Sequence, residues 1–188
     1  MYSLRMNYCS YCGHPVSQKV PEGDNRLRFV CDKCDAIHYQ NPRIIAGCLP
    51  IYEDKVLLCR RAIDPRSGYW TLPAGFMENG ETAAMGALRE TEEEANARAE
   101  IVNLYTLFSL PHISQVYMFF RAELLDLEFS PGHETTDTRL FEEHEIPWDE
   151  LAFPVITQTL QHYFKDRTSG EYPVRSLDII VDRLHRRS

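Results

Sequence analysis

Apolar residues along this chain cluster and lapse in a way that marks out its elements. From Asn7 to Tyr39 the segment is polar, cysteine-bearing and too small to have an apolar core of its own. Asn41-Pro42 marks a boundary, because a proline pushes the residue before it toward extended backbone. Ile44 to Ile51 then reads as a strand, Glu53-Asp54 as a turn, and Val56-Leu57-Leu58-Cys59 as the second arm of a hairpin. Ala62 to Tyr69, with Pro65 and Gly68, is a loop. Trp70 to Gly75 is a short extended piece leading into a helix over about Thr82 to Ala95. Glu81-Thr82 can open that helix, and Asn96 can close it, because asparagine tolerates left-handed backbone second only to glycine. Ala84, Leu88, Thr91 and Ala95, with Ala87 flanking, form its expected core face. Further β-like runs follow at Ile101 to Leu107, Val116 to Leu125 and Thr138 to Phe141, and a second helix at Val155 to Phe164. The helices interrupt the strands irregularly, with no βαβαβ rhythm, so the pattern points to an α+β fold.

Composition narrows the class without changing that picture. The 188 residues suit one medium domain with a small appendage, and no apolar run reaches the roughly 18 residues that span a bilayer. The formal net charge of −8 argues against a general nucleic-acid binder, whose affinity comes largely from neutralising phosphates. It is compatible with an anionic small substrate if metal ions supply positive charge. The charge is also unevenly placed. Residues 1–61 hold nine Lys+Arg against six Asp+Glu, a balance of +3, whereas residues 62–188 carry −11. Two different modules are expected.

Four of the six cysteines fall in two close pairs, Cys9/Cys12 and Cys31/Cys34, eighteen residues apart. Met1 to Tyr8 lacks the apolar stretch of a secretion signal, so a reducing, cytoplasmic setting is expected. Paired cysteines there read as metal ligands before disulfides. Two C-x-x-C knuckles can place four thiolates around one Zn²⁺, and a closed four-cysteine site is structural rather than catalytic. Gly13 supplies the positive φ a knuckle turn needs, and zinc would supply folding free energy that hydrophobic burial cannot. Cys48 and Cys59 lie in strand runs and read as small buried hydrophobes.

The most informative stretch is Gly75-Phe-Met-Glu-Asn-Gly-Glu81, then Arg89-Glu90-Thr-Glu-Glu93-Glu94. Glu90, Glu93 and Glu94 stand at i, i+3 and i+4, on one helical face opposite Ala84, Leu88 and Thr91. Like charges so spaced oppose the helix, and they lie near its C-terminal end, where the dipole prefers cations. Hard divalent cations, Mg²⁺ or Mn²⁺, would remove the conflict. Gly75, five residues, Glu81, seven residues, Arg89-Glu90, two residues and Glu93-Glu94 form the spacing of the Nudix box, and the chain resembles the Nudix hydrolases. Six such positions coincide by chance on the order of once in ten million starts. Two positions depart from the box: Asn96 stands where it has a glycine, and Thr91 where it has an aliphatic residue.

That resemblance implies an α/β/α sandwich on a mixed sheet, hydrolysing a nucleoside diphosphate linked to a moiety X. It implies metal binding by Glu90, Glu93 and Glu94, joined by the carbonyl of Ala74, with Arg89 orienting the glutamates and Glu81 behind them. The general base comes either from the box, with Glu93 the catalytic carboxylate, or from a later loop, where Glu134 is the first candidate and Asp137 the second. Cations of this kind neutralise pyrophosphate oxygens and activate the attacking water. A ribbon ahead of such a domain also occurs in the NADH pyrophosphatases, but their Ser-Gln-Pro-Trp-Pro-Phe-Pro motif is absent, the comparable region reading Ser109 to Tyr117. Over Asn7 to Phe164 the chain is more similar to the plant chloroplast Nudix hydrolases that cleave FAD, on stretches such as Tyr39-Gln40-Asn41-Pro42 and Phe129-Ser-Pro-Gly132. FAD, giving FMN and AMP, and ADP-ribose are the substrates this implies. NADH hydrolysis is the alternative, and a non-catalytic nucleotide sensor or nucleic-acid-binding regulator is the reading from a different class. Arg60 and Arg61 are candidates to meet phosphates. Trp70, Phe76 and Tyr117 are candidates to stack on a flat ring, although aromatics flanking a sheet also serve as core. The expected organisation is a zinc ribbon over residues 1–40, a Nudix domain over 41–170 and a C-terminal tail over 171–188, with basic Arg183 to Arg187 loosely held. The expected partners are a small dinucleotide and, as for many relatives, a second copy in a homodimer, with no membrane and no nucleic acid.

Overall fold

The computed structural model describes residues 6–181, which fall into two compact units divided between Asn41 and Pro42. In the first, β1 (Val16–Lys19), β2 (Arg28–Cys31) and β3 (Ile37–His38) form an antiparallel sheet in that order. The two cysteine knuckles turn in the same way. Gly13, at φ 71°, donates its N–H to the carbonyl of Cys9, and Asp35, at φ 56°, donates to that of Cys31. The glycine anticipated for the first turn is therefore matched by an aspartate in the second, a residue that tolerates left-handed backbone.

The second unit is built on a mixed sheet. Its strands are β4 (Arg43–Tyr52), β5 (Lys55–Arg61), β8 (Ala99–Leu110), β9 (Gln115–Leu124), β10 (Thr135–Phe141) and β11 (Arg175–Asp178), in the order β10-β5-β4-β9-β8-β11. Short strands β6 (Trp70–Thr71) and β7 (Ala74–Phe76) pair with β5 and β4. β4 runs parallel to β9 and β11 parallel to β8, while the other pairs are antiparallel. The helices are α1 (Ala83–Ala95) and α2 (Pro154–Arg167).

Register decides which side chains meet which helix, because residues directly opposite one another across a ladder point to the same face. Gly75, Ala46 and Met118 form one row, and Phe76, Ile45 and Tyr117 the next row on the other face. The first face, with Ala46, Cys48, Phe120 and Ala122, packs against Ala87, Ala84 and Leu88 of α1. The second face, with Leu49, Phe108 and Phe119, packs against Val155, Ile156, Leu160, Tyr163 and Phe164 of α2. The result is the expected α/β/α sandwich.

Thr82 caps α1 by accepting a hydrogen bond from Met85 N–H at 3.2 Å, and Asn96 ends it at φ 46°, ψ 30°. Both caps follow the sequence reading. The buried face does not follow it fully: Ala87, Thr91 and Ala95 are buried as expected, but Gly86 and Glu94 are buried too, while Ala84 and Leu88 remain half-exposed. α1 is covered by the preceding loop as well as the sheet, and a Cβ on Gly86 would stand 2.7 Å from a Glu81 oxygen. Glu94 is thus buried, Glu90 half-buried and Glu93 exposed, so the three do not form one solvated face.

The stretch from 171 also differs from the tail expected there. β11 is clamped by charge: Arg175 donates to Asp166 at 2.6 Å, and buried Tyr105 donates its hydroxyl to the same carboxylate at 2.8 Å. Such a strand has no hydropathy signal. The basic run Arg183 to Arg187 lies outside the described residues.

Candidate active site

Gly75 opens the site because the Glu90 carboxylate takes the space that a side chain there would use. A Cβ at 75 would fall on the carboxyl group of Glu90, well inside the 3.0 Å that real Cβ atoms keep. The Glu90 carboxylate thus lies directly against the backbone of β7. Arg89 organises the surrounding carboxylates. Its Nη1 donates to Glu90 at 2.7 Å and Glu93 at 3.0 Å, its Nε and Nη2 hold Glu81 at 3.1 and 2.9 Å, and Nη2 also donates to the Phe76 carbonyl at 3.1 Å. Glu81 accepts in addition from the N–H of Glu78. The guanidinium of Arg89, then the Glu78 amide, hold the Glu81 carboxyl below its ordinary range.

Glu94 lies deeper, 9% exposed, and accepts from the N–H of Ala74 at 3.3 Å. Burial first, then the negative charge of Glu90, pushes its carboxyl up to about 8; the Ala74 N–H and Arg61 oppose this, and Glu134 adds to it. Burial likewise raises Glu90, against the pull of Arg89, with Glu93 and Glu134 contributing. Glu90 and Glu94 are thus partly desolvated neighbours, the first raising the second, while Glu93 is exposed; hard oxygen donors of this kind suit divalent metal ions.

Glu134 acts electrostatically on both Glu90 and Glu94. Asp137 lies in β10 and pairs in register with Arg60, and both it and Glu134 are exposed. The loop before Glu134 is pinned to the end of α1. Ser130 N–H donates to the Ala95 carbonyl and Gly132 N–H to that of Glu94, both at 2.9 Å. A Cβ on Gly132 would collide with the Glu93 carbonyl. The Asn96 amide adds contacts to the Ser130 carbonyl at 3.1 Å and to the Ser130 hydroxyl and Pro131 carbonyl at 3.2 Å. These long-range contacts leave no mark in local sequence. The only signal available was Asn96 itself, the departure from the box.

The candidate substrate contacts separate. Arg61 donates its Nε to the Pro65 carbonyl at 2.9 Å with its guanidinium 5.4 Å over Phe153, and its charge acts on Glu94 and Tyr117. Arg60, one residue earlier, turns the other way, exposed and bonded to the Gly68 carbonyl at 2.8 Å. Phe76 is 47% exposed, with Arg43 packed over its ring at 4.9 Å. Trp70 is not a free platform: it is buried in the α2-side core, edge-to-face with Phe141 at 4.9 Å. Its indole serves packing. Cys48 and Cys59 are fully buried, as expected.

In the first unit, the Sγ atoms of Cys9, Cys12, Cys31 and Cys34 all lie within 4.8 Å of one another. Cys9–Cys34, Cys12–Cys34 and Cys12–Cys31 are 3.8, 3.5 and 3.4 Å apart. A tetrahedron with Zn–S bonds of about 2.3 Å has sulfur–sulfur edges near 3.8 Å, so the donors fit one zinc ion. None of the six cysteines is in a disulfide. The N–H of Cys34, then that of Lys33, lowers the Cys31 thiol, whereas Cys12 and Cys34, hydrogen-bonded to neighbouring sulfurs, are raised. His38 stays beside the site, Nε2 3.3 Å from the Cys9 sulfur, and His14 bonds the Cys12 carbonyl.

The sandwich, its arginine-held carboxylate helix and the four-thiolate ribbon together define a metal-using hydrolase with a structural zinc module. Comparison with known proteins agrees. The NUDIX domain family matches residues 41–163, and the family described as Nudix N-terminal, a zinc ribbon, matches 7–40. The chain belongs to the Nudix hydrolases, enzymes that act on pyrophosphate bonds with the help of divalent metals. It is 57% identical to a NUDIX hydrolase of Nitrosomonas europaea of known structure, with a TM-score of 0.90 over 93% of this chain and 99% of that one. It is 31% identical to the NAD-capped RNA hydrolase NudC of Salmonella heidelberg over 77% of this chain, and it spans about half, 52%, of that relative's length. An ADP-ribose pyrophosphatase of Streptococcus suis shares the fold, at 20% identity and a TM-score of 0.57 over 74% of this chain and all of that one. Among the described residues no helix is long and apolar enough to cross a membrane.

Proposed function

We propose that this protein is a Mg²⁺- or Mn²⁺-dependent pyrophosphohydrolase that splits ADP-linked dinucleotides into AMP and a second phosphate ester. The observation that carries this reading is the packing of the Glu90 carboxylate against Gly75, beside Glu94 and Glu134 and under the control of Arg89. A side chain at 75 would fill the place the carboxylate takes.

Glu90, Glu93 and Glu94, with the carbonyl of Ala74, would hold the divalent ions, which would supply charge to neutralise the pyrophosphate oxygens and acidify the attacking water. Arg89 keeps the glutamates in place, and Glu81 keeps Arg89 in place. Glu134, carried by the pinned loop, takes the proton from the water as general base. Arg61 meets a phosphate, and the exposed ring of Phe76 stacks on a base. The zinc ribbon is structural.

NAD-linked pyrophosphates are the first substrates to test, because the NudC relatives are named for NAD-capped RNA. ADP-ribose and FAD rest on the sequence resemblance. A homodimer and a cytoplasmic setting belong to the same reading. The test is a panel of NADH, ADP-ribose and FAD with Mg²⁺ or Mn²⁺ and chromatographic identification of products. AMP together with the complementary phosphate ester from at least one of them is expected; intact substrate throughout would overturn the reading.

A further inference from the structure

We propose that Asn96 is a positioning residue for catalysis, its side-chain amide fixing the loop that carries Glu134 to the end of the glutamate helix. The proposal rests on the reading of Glu134 as general base.

Backbone conformation alone does not call for asparagine at 96. Its φ of 46° and ψ of 30° are left-handed, and glycine adopts that conformation without a Cβ penalty. The amide must therefore be explained by what it touches. Its Nδ2 lies within 3.2 Å of three acceptors, the carbonyls of Ser130 and Pro131 and the hydroxyl of Ser130, thirty-four and thirty-five residues away. Glycine at this position would end the helix equally well and make none of these contacts.

The same junction is closed from the loop side. Ser130 and Gly132 give their N–H groups to the last carbonyls of α1, which have no partner within the helix. Gly132 approaches the Glu93 carbonyl so closely that any side chain is excluded. From Gly132 the chain turns at once, with Thr135 N–H donating to the Gly132 carbonyl at 3.2 Å, and Ala62 N–H anchors the Glu134 carbonyl at 2.8 Å. Glu134 is thus held between the end of the helix that carries Glu90, Glu93 and Glu94 and the strand end that carries Arg61. A shift of the loop would move the base relative to the carboxylates without disturbing the carboxylates themselves.

The experiment compares wild type, Asn96→Gly, Glu134→Gln and the double variant, using whichever of NADH, ADP-ribose and FAD the wild type cleaves fastest, at saturating Mg²⁺. Asn96→Gly is expected to melt within a few degrees of wild type and to keep its KM, while kcat falls on the order of 10- to 100-fold, as a small misplacement of a reacting group does. Glu134→Gln is expected to lower kcat by about 100-fold or more. Adding Asn96→Gly to Glu134→Gln should then cost nothing further. Wild-type kcat in Asn96→Gly alongside a crippled Glu134→Gln overturns the latch alone. Equal losses from Asn96→Gly in both backgrounds show a merely structural role and also overturn it. Wild-type kcat in Glu134→Gln removes the reading of the base, and the latch with it.

Discussion

The carboxylate of Glu90 occupies the space in which a side chain at position 75 would stand. Strand β7 and helix α1 meet at this point, and the meeting explains why a glycine and a glutamate fifteen residues apart act as one feature. Substituting Gly75→Ala pits a methyl group against the flexible end of Glu90, which can swing away. The melting temperature should change little, while kcat should fall on the order of 100-fold because the carboxylate is displaced. Full activity in Gly75→Ala would show that Glu90 does not need this position.

Trp70 and Phe76 were both candidates to stack on substrate, and their surroundings now give them opposite predictions. Trp70→Ala empties a filled core position and should cost about 3–5 kcal/mol of stability. Phe76→Ala, at an exposed ring, should leave the melting temperature near wild type and raise KM. Thermal melts and steady-state kinetics on the two variants check this, and a stable Trp70→Ala with raised KM would reverse the assignment.

The elevated Glu94 carboxyl gives the metal-free protein a distinctive pH dependence. Between the ordinary carboxylate range and about 8, the folded state keeps the proton that the unfolded state releases. Stability therefore falls as pH rises through that window, by at most about 1.4 kcal/mol per unit, and then levels. Glu94→Gln lacks the titration, so in EDTA its melting temperature should exceed that of wild type by a margin that widens from pH 5 to 8. Comparing the two proteins removes contributions of other groups, such as His162, whose pKa burial lowers. A constant margin would mean that Glu94 ionises normally in the fold.

The four thiolates should hold one zinc ion per chain. Free energies for such sites are about 10–16 kcal/mol, more than a segment of this size can gain from apolar burial. Cys31→Ser should lose the metal, measured by elemental analysis, and residues 7–40 should lose amide-exchange protection. Retained protection without zinc would contradict a metal-held ribbon.

Sequence carried the elements whose cause is local. Thr82 and Asn96 bound α1 because their side chains and backbone preferences act within a turn. The strand runs Ile44 to Ile51 and Val116 to Leu125 announced themselves by their apolar, β-prone residues, the cysteine spacing by its four-thiolate cluster, and the glutamate spacing by the family it shares. What was not legible depends on contacts distant in the chain. The buried Glu94 carboxylate meets the N–H of Ala74, twenty residues earlier, and Trp70 takes its core position against Phe141. β11 is held by a partly buried ion pair between Asp166 and Arg175 that no hydropathy pattern records. Arg60 and Arg61 are adjacent and chemically alike, yet one bonds the Gly68 carbonyl and the other the Pro65 carbonyl, with its guanidinium over Phe153.

The most direct measurement is turnover of NADH, ADP-ribose and FAD by wild type and Glu93→Gln, each with saturating Mg²⁺ and with EDTA. Metal-dependent release of AMP by wild type, abolished by EDTA and reduced on the order of 100-fold or more in Glu93→Gln, is the expected result. Hydrolysis that survives EDTA, or a Glu93→Gln variant as active as wild type, would contradict a mechanism built on these carboxylates.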